Sequence, residues 1–467
     1  MSGPTDRPFA TTALVAGFLA VVGANLLPLV GVVAWEWTLW SLLVVYWMEA
    51  LSTVLLAAAK TLFAERGSPG VPGGIEPLHE LREKRGGWRF HDSWPPVYPR
   101  NVPFALSILG VWAVTVIPLS AFYWLSVAPD VRLSLHLVLA IGALFVAQAA
   151  DFAFEYVGER EYETVSAQQI VRTPAQLSAL VLSLGLFTAD AGRASGILVL
   201  LAVVLAKTTL SAYRFYVEHV GTPVLSLSER FFGGDDSEPP PELDLPDADV
   251  RARVTVDAKP VLLGSLWAVA YGFASRVGLA TLALLGLSLA AGEWLWFAVA
   301  LLLALAIVAA RVSSYYLRYG TVEYQRRGDR LVAYDTALDA PQWIVAVDST
   351  TEFAVRNAIA DRLLGTGTLT ITDAESVDRD VQLGPVSDVD RAVEALDLPV
   401  GRTERPARDP AVIVAAGVLA LFFLAVPVGL FLTPRVDDAT ATGIAVAFGP
   451  FLLVPVVALL WAALSRI

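Results

Sequence analysis

The sequence predicts a polytopic α-helical membrane protein of about ten spans with an inserted α+β cytoplasmic domain, a curved sheet capped by a C-terminal helix. Three observations predict it. The 467-residue chain is 56% hydrophobic and only 17% charged, far more apolar than a typical soluble domain. Apolar runs near the 20 residues that a helix needs to cross a bilayer core recur along it. Residues 313–408 are the one domain-sized stretch that reads as water-soluble.

The candidate spans are 11–33, 38–62, 102–126, 133–156, 174–189, 193–214, 272–291, 293–311, 410–433 and 441–464. Residues 260–271 extend the seventh run, and the Arg276 inside it makes that part interfacial in this reading. The expected divisions are a six-helix unit over 1–220, an acidic Pro-rich linker over 221–258, a helical hairpin over 259–312, the soluble domain over 313–408 and a C-terminal hairpin over 409–467.

Orientation follows from the Lys/Arg bias, because cytoplasmic loops hold an excess of these residues. Loop 64–101 contains Arg66, Arg82, Lys84, Arg85, Arg89 and Arg100, so it and both termini are expected inside, together with 313–408. Trp35, Trp37, Trp40, Tyr123, Trp124, Trp294 and Trp296 gather at the opposite ends of the spans, where interfacial aromatics belong. The same loop has Gly/Pro punctuation and reads as a solvated interfacial segment. Its His79, His91 and Asp92 lack any paired-His spacing, so no metal site is expected.

Charge and residue usage exclude several classes. The formal net charge is −12, and without a basic stripe nothing can neutralise phosphates, so nucleic acid is not an expected partner. Only Lys60, Lys84, Lys207 and Lys259 supply ammonium groups; an acidic surface that prefers Arg to Lys suits a high-salt cytoplasm. The absence of Cys removes disulfides, thiolate metal sites and a cysteine nucleophile. No nucleophile elbow, phosphate loop or metalloprotease motif occurs, and GTGTLT at 365–370 precedes a strand instead of a helix. The expected protein is not an enzyme and takes no cofactor.

Within the soluble stretch, 319–336 reads as a hairpin joined across Gly328-Asp329. QWIVAV (342–347), TGTLTIT (366–372) and VQL (381–383) read as further strands, and 357–365 as one or two helical turns. Ser387 is placed to cap a helix whose Val389, Val393 and Leu396 share one face. The order hairpin, strand, Arg362-Leu-Leu-Gly365 and GTGTLTIT, directly after a two-helix hairpin, resembles the bacterial pleckstrin-homology-like membrane domain family over roughly 260–400. That resemblance implies a binding or assembly module with no catalytic residues. In that family the loop equivalent to the first hairpin turn is a common ligand-facing edge, which makes Arg326, Arg327 and Arg330 a possible surface contact. The alternative is a solvated turn whose arginines pair with Asp329 or Asp335.

In the N-terminal half, Tyr46-Trp47-Met48-Glu49 followed by Lys60 resembles an uncharacterised family of polytopic membrane proteins with a Tyr-Trp-x-Glu motif. Independently of that, Glu49, Thr53, Leu56 and Lys60 fall on one helix face. Gln148, Asp151 and Glu155 make a similar stripe, and so do Lys207, Ser211 and Arg214. Glu49 and Lys207 are placed to meet at similar depth, where a lone charge would cost several kcal/mol. This buried polar cluster (Glu49, Lys60, Gln148, Asp151, Glu155, Lys207, Arg214) is either an ion or proton site or structural pairing between helices. The expected function is therefore a non-catalytic assembly or interaction module at the cytoplasmic membrane face, with membrane lipid and unidentified proteins as partners. The alternative is a small-solute or ion permease built on Glu49/Lys207.

Overall fold

The computed structural model describes residues 39–68, 77–91, 94–117, 134–171, 243–356, 366–373, 381–400, 409–432 and 437–464, with the single positions 120, 205, 208 and 209. The chain divides into two compact units. Unit 1 is Met1–Arg82 with Arg89–Pro240, and unit 2 is Glu83–Trp88 with Pro241–Ile467.

The longer elements described in unit 1 are helices. Its elements are α1 (Leu39–Phe63), α2 (Val102–Val111, running into a π turn at Trp112–Val116) and α3 (Leu135–Asp151, running into a π turn at Phe152–Gly158). Ser134 starts α3 by accepting a hydrogen bond from Leu137 N at 3.2 Å, the usual service of an N-cap hydroxyl. A core of Ala50, Val54, Ala58, Phe104, Ala105, Ile108, Trp112 and Val116 joins α1 to α2. Small residues on the α1 side let the two helices approach.

Loop 64–101 is only in part the solvated segment its composition suggests: Arg66 and residues 88–91 are exposed, while its C-terminal end is buried. Arg100 is 8% exposed and Asn101 1%; the Arg100 guanidinium donates to Glu65 O and lies 4.2 Å from the Tyr98 ring centroid. Asn101 Nδ2 donates to Ala64 O at 2.6 Å. Arg100 and Asn101 thus satisfy the two carbonyls that follow the end of α1, a need that composition does not reveal.

Unit 2 contains all the described strands. A four-stranded antiparallel sheet has the order β1 (Val250–Thr255), β2 (Val322–Arg327), β3 (Arg330–Asp335), β4 (Ala340–Ala346). A three-stranded antiparallel sheet has the order β5 (Thr351–Arg356), β6 (Gly367–Asp373), β7 (Val381–Val386). The hairpin β2–β3 turns at Gly328, whose φ of +58° glycine adopts without strain. Val322, Tyr324, Leu331, Ala333, Val345, Phe353, Leu369, Ile371 and Leu383 form one core between the sheets. That core is completed by Ala392 and Leu396 of α7 (Val389–Leu396). The N-cap of α7 is Asp388, which accepts from Arg391 N at 3.0 Å; Ser387 instead donates to Asp257 at 2.6 Å. The carboxylate one position later wins the cap because it also favours the positive helix end.

The remaining helices of unit 2 are α4 (Ala258–Ala274), α5 (Arg276–Ala291), α6 (Trp294–Tyr319), α8 (Pro410–Phe431) and α9 (Asp438–Leu464). The first three pack on one another, α8 packs on α9, and α9 packs on α5.

Two parts of the expected architecture are corrected here. Among the described residues, two helices are long and apolar enough to cross a membrane, Leu135–Gly158 and Trp294–Tyr319, or three if one bent pair counts as a single span. This is not the polytopic arrangement of about ten spans. The apolar run at 258–291 shows the physical reason, because it breaks by 78° at Ser275 into helices of 17 and 16 residues. Ser275 accepts from Gly278 N at 3.2 Å to open α5 and donates to Gly272 O at 2.6 Å to close α4. Hydropathy cannot see such a stop. The expected spans 11–33, 174–189 and most of 193–214 lie outside the described residues, as do the helical turns expected at 357–365. The second correction is to the inserted domain with its single curved sheet over 313–408. The strands form two sheets, and β1 enters from the stretch assigned to the linker.

Candidate interaction site

In unit 1 the predicted polar stripes of α1 and α3 do meet, but in a different pairing. Lys60 Nζ lies 2.7 Å from Asp151 Oδ2, with the side chains 20% and 46% exposed. Tyr156 fixes the lysine from its other side: its ring centroid is 5.0 Å from Nζ, and its hydroxyl donates to Lys60 O at 2.6 Å. One turn away, Gln148 Nε2 donates to Thr53 Oγ1 at 3.1 Å, and that hydroxyl donates to Glu49 O at 2.8 Å. Glu155 is a neighbour of Asp151. The π turn that begins at Phe152 inserts an extra residue per turn there, so Glu155 is rotated off the straight stripe. Glu49 sits half-buried on α1, while Lys207 and Arg214 lie outside the described residues. His79 pairs with the neighbouring Glu80 at 3.3 Å.

In unit 2 the predicted arginines gain company. Strand β1 pairs antiparallel with β2, setting Arg253 opposite Gln325 and Val250 opposite Arg327. Across the hairpin, Arg327 stands directly opposite Arg330. Core residues alternate with these positions, so Arg253, Arg327 and Arg330 share the face turned away from that core; Gln325 and Val332, opposite each other in the middle of this face, are buried, and Arg253 and Arg330 are exposed at its margins. Arg326 takes the other parity, level with Ala252 of the core side. A polar ladder runs along β2. Arg327 Nε donates to Gln325 Oε1 at 2.9 Å, Gln325 Nε2 donates to Glu323 Oε1 at 2.8 Å, and Arg253 Nε lies 3.6 Å from that same oxygen. Exposed Arg251 sits in the bulge at the start of β1. Like charges directly opposite on a sheet are destabilising, and the carboxylate of this face, Glu323, is engaged by Arg253 and Gln325. Arg251 and Arg253 were missed from the sequence because their acidic, Pro-rich approach reads as linker. The alternation VRARVT was the available signal.

Asp335, proposed from sequence as a partner for those arginines, faces Lys84 instead. Lys84 Nζ is 2.5 Å from Asp335 Oδ2, and the two side chains are 6% and 0% exposed. Burial pulls the Lys84 ammonium below the ordinary lysine range, with Asp335 opposing that shift. Asp335 also accepts from Thr321 Oγ1 at 2.8 Å, Ala337 N at 2.9 Å and Leu338 N at 3.0 Å. Beside it, the Gln342 amide accepts from Arg85 N and donates to Arg85 O, both at 3.0 Å. Segment Glu83–Trp88 is thus fastened to the β3–β4 hairpin. No local sequence signal marks a contact that spans 257 positions.

Residues 8–223 match the model of a family of unknown function, DUF6498. Neither the comparison with curated proteins nor that with solved structures gives a match. What the chain resembles at this level is therefore, over its N-terminal part, a set of proteins with no assigned activity.

Proposed function

We propose that this protein is a membrane-associated, non-catalytic interaction module whose working surface is the outer face of the β1–β2–β3 sheet. The observation that supports this is the juxtaposition of Arg327 directly opposite Arg330, with Arg253 on the same face. An arrangement that costs stability in the free protein is recovered when an anionic partner lies across it. The partner in this reading is an acidic protein surface and not anionic lipid. Residues 313–408 hold 11 Arg against 16 Asp/Glu, a net of −5, which repels a lipid surface as a whole. Molar salt also shortens the reach of any attraction to about 3 Å. We further place the sheet-bearing unit on the cytoplasmic side, because loop 64–101 holds the chain's concentration of basic residues.

The test is affinity purification of the full chain from native membranes, wild type against Arg327→Glu/Arg330→Glu, with a parallel vesicle-binding arm. The expected result is a protein set lost from the charge-reversed variant, with weak vesicle binding by both. Arg327-dependent binding to anionic vesicles in molar salt would overturn the protein reading. The permease alternative rests on Glu49 meeting Lys207, and Lys207 lies outside the described residues.

A further inference from the structure

Helices α4 and α6 of unit 2 pack on each other, and each is joined by two residues to a strand of one pair: Thr255 at the end of β1 stands opposite Glu323 of β2. The helices approach closely where α4 has glycine. A Cβ at Gly264 would lie 2.7 Å from the Tyr315 hydroxyl, and one at Gly272 would lie 2.9 Å from Arg311 Cγ and 3.2 Å from Ile307 Cγ2. These contacts fix the level of α4 along α6. Gly264 is level with Tyr315, and by Gly272 the helix has moved four to eight residues toward Trp294, about 6–12 Å at 1.5 Å per residue.

Helix α6 has depth markers of its own. Trp294 and Trp296 stand nineteen to twenty-two residues before Tyr315 and Tyr316, about 28–33 Å along a helix. That matches the ~30 Å of a hydrocarbon core between two aromatic belts. Every exposed residue from Trp294 to Ala309 is apolar. Tyr315 thus marks one boundary of the apolar layer, and the part of α4 beyond Gly264 falls inside it. The exposed residues there are Leu266, Trp267, Ala270 and Tyr271, with Leu262 just short of the boundary. Charges resume where the layer ends, since Lys259 opens α4 and Arg318 closes α6, both exposed. Inside it the charges of α4–α6 are Arg311 and, at the break, Arg276. Both are arginines, whose apolar stems let the guanidinium reach back to the interface, and that of Arg311 lies over the Tyr271 ring at 6.0 Å.

We propose, resting on the membrane-associated reading above, that the Leu262–Tyr271 face of α4 is immersed in lipid and that the lipid surface passes at the level of Gly264 and Tyr315. In water this face would be an exposed apolar patch on the flank of α6. A protein partner would call for a polar rim, which the face lacks between Leu262 and Tyr271. The placement also says where the sheet stands. The two-residue joints are braced by Tyr319, whose hydroxyl donates to Gln382 Oε1 at 3.2 Å, and by Ser387, which donates to Asp257 at 2.6 Å. Strands β1 and β2 are therefore held close to the lipid surface, and a partner of the arginine face meets it there.

The chain has no Cys, so one nitroxide label at a time reports its own surroundings. The full chain is reconstituted in phosphatidylcholine bilayers with the label at Leu262→Cys, Leu266→Cys or Ala270→Cys, all exposed positions. Leu302→Cys on the exposed side of α6 and Arg251→Cys at the exposed start of β1 are the references. Collision with oxygen, which dissolves in lipid, is compared with collision with a polar nickel chelate. The expected result is a nickel collision rate at Leu266 about fivefold below that at Arg251, because hydrocarbon excludes the chelate, with oxygen access retained. Nickel access should fall in the order Leu262, Leu266, Ala270. Access like that of Arg251 at all three, with Leu302 immersed, overturns the proposal and leaves the membrane reading in place; the same access at Leu302 as well overturns both. Exclusion of both reagents from Leu266 overturns it too, since a second copy or another protein then covers the face. Unchanging nickel access along the three positions overturns the level assigned to the lipid surface.

Discussion

At Asp335 three hydrogen-bond donors and the Lys84 ammonium converge on one carboxylate with no solvent exposure, and the three donors remain if Lys84 is lost. Removing one partner of a buried ion pair costs about 3–5 kcal/mol, mainly by leaving the other charge unpaired. Lys84→Met should therefore fall at or below the low end of that range. Asp335→Ala should cost more, since it strands the ammonium and also frees two backbone N–H groups worth about 1 kcal/mol each. Exchange protection of β3 amides ranks the two variants, and an equal or reversed order would show that Lys84 is the main anchor. The lysine also has a pH signature. The unfolded chain keeps its proton up to about pH 10.4, while burial lowers the folded value. Between the two values the unfolded state binds more protons, so stability rises with pH. Denaturation midpoints of the wild type measured against Lys84→Met should diverge upward through that window; a flat difference would mean that the ammonium is not desolvated as the fold implies.

Among the elements, those written in local patterns were legible. Alternation and the Gly328 turn gave β2, β3 and β6, and the Val389/Val393/Leu396 spacing gave α7. The cap of α7 was misplaced by one residue, and this sets a test. Asp388→Ala should cost about 1 kcal/mol of α7 stability, whereas Ser387→Ala removes only the bond to Asp257 and should cost less. Elements defined by distant partners were not legible. β1 exists because β2, some seventy positions later, offers it an edge, and the break at Ser275 depends on one hydroxyl serving two helix ends. In the polar seam of unit 1 the stripes were readable, but the pairing of Lys60 with Asp151 was not, because it depends on where α3 turns into its π segment. A double-mutant cycle on Lys60→Met and Asp151→Asn should give a coupling of about 0.5–1 kcal/mol, since Asp151 is 46% exposed and solvent screens the pair. Strict additivity would show that the contact contributes nothing.

On the scale of the whole molecule, two kinds of sequence information carried different weight. Among the described residues, apolar runs overstated the number of membrane crossings, because run length says nothing about where a helix bends. Charge placement is independent of that error, since it acts on the loops and not on the runs. The bias of loop 64–101, with Arg66, Arg82, Lys84, Arg85, Arg89 and Arg100, predicts which side of the membrane the sheet-bearing unit occupies, provided that one of its helices anchors it. Trp294–Tyr319 is long and apolar enough to do so, and β2 follows it after two residues. The natural absence of Cys makes the orientation directly measurable. Arg330→Cys puts a single thiol at the exposed start of β3. A membrane-impermeant maleimide should leave it unlabelled in intact cells and label it once the membrane is opened. Labelling from outside intact cells would put the arginine face on the other side, and with it the site that a cytoplasmic partner must reach.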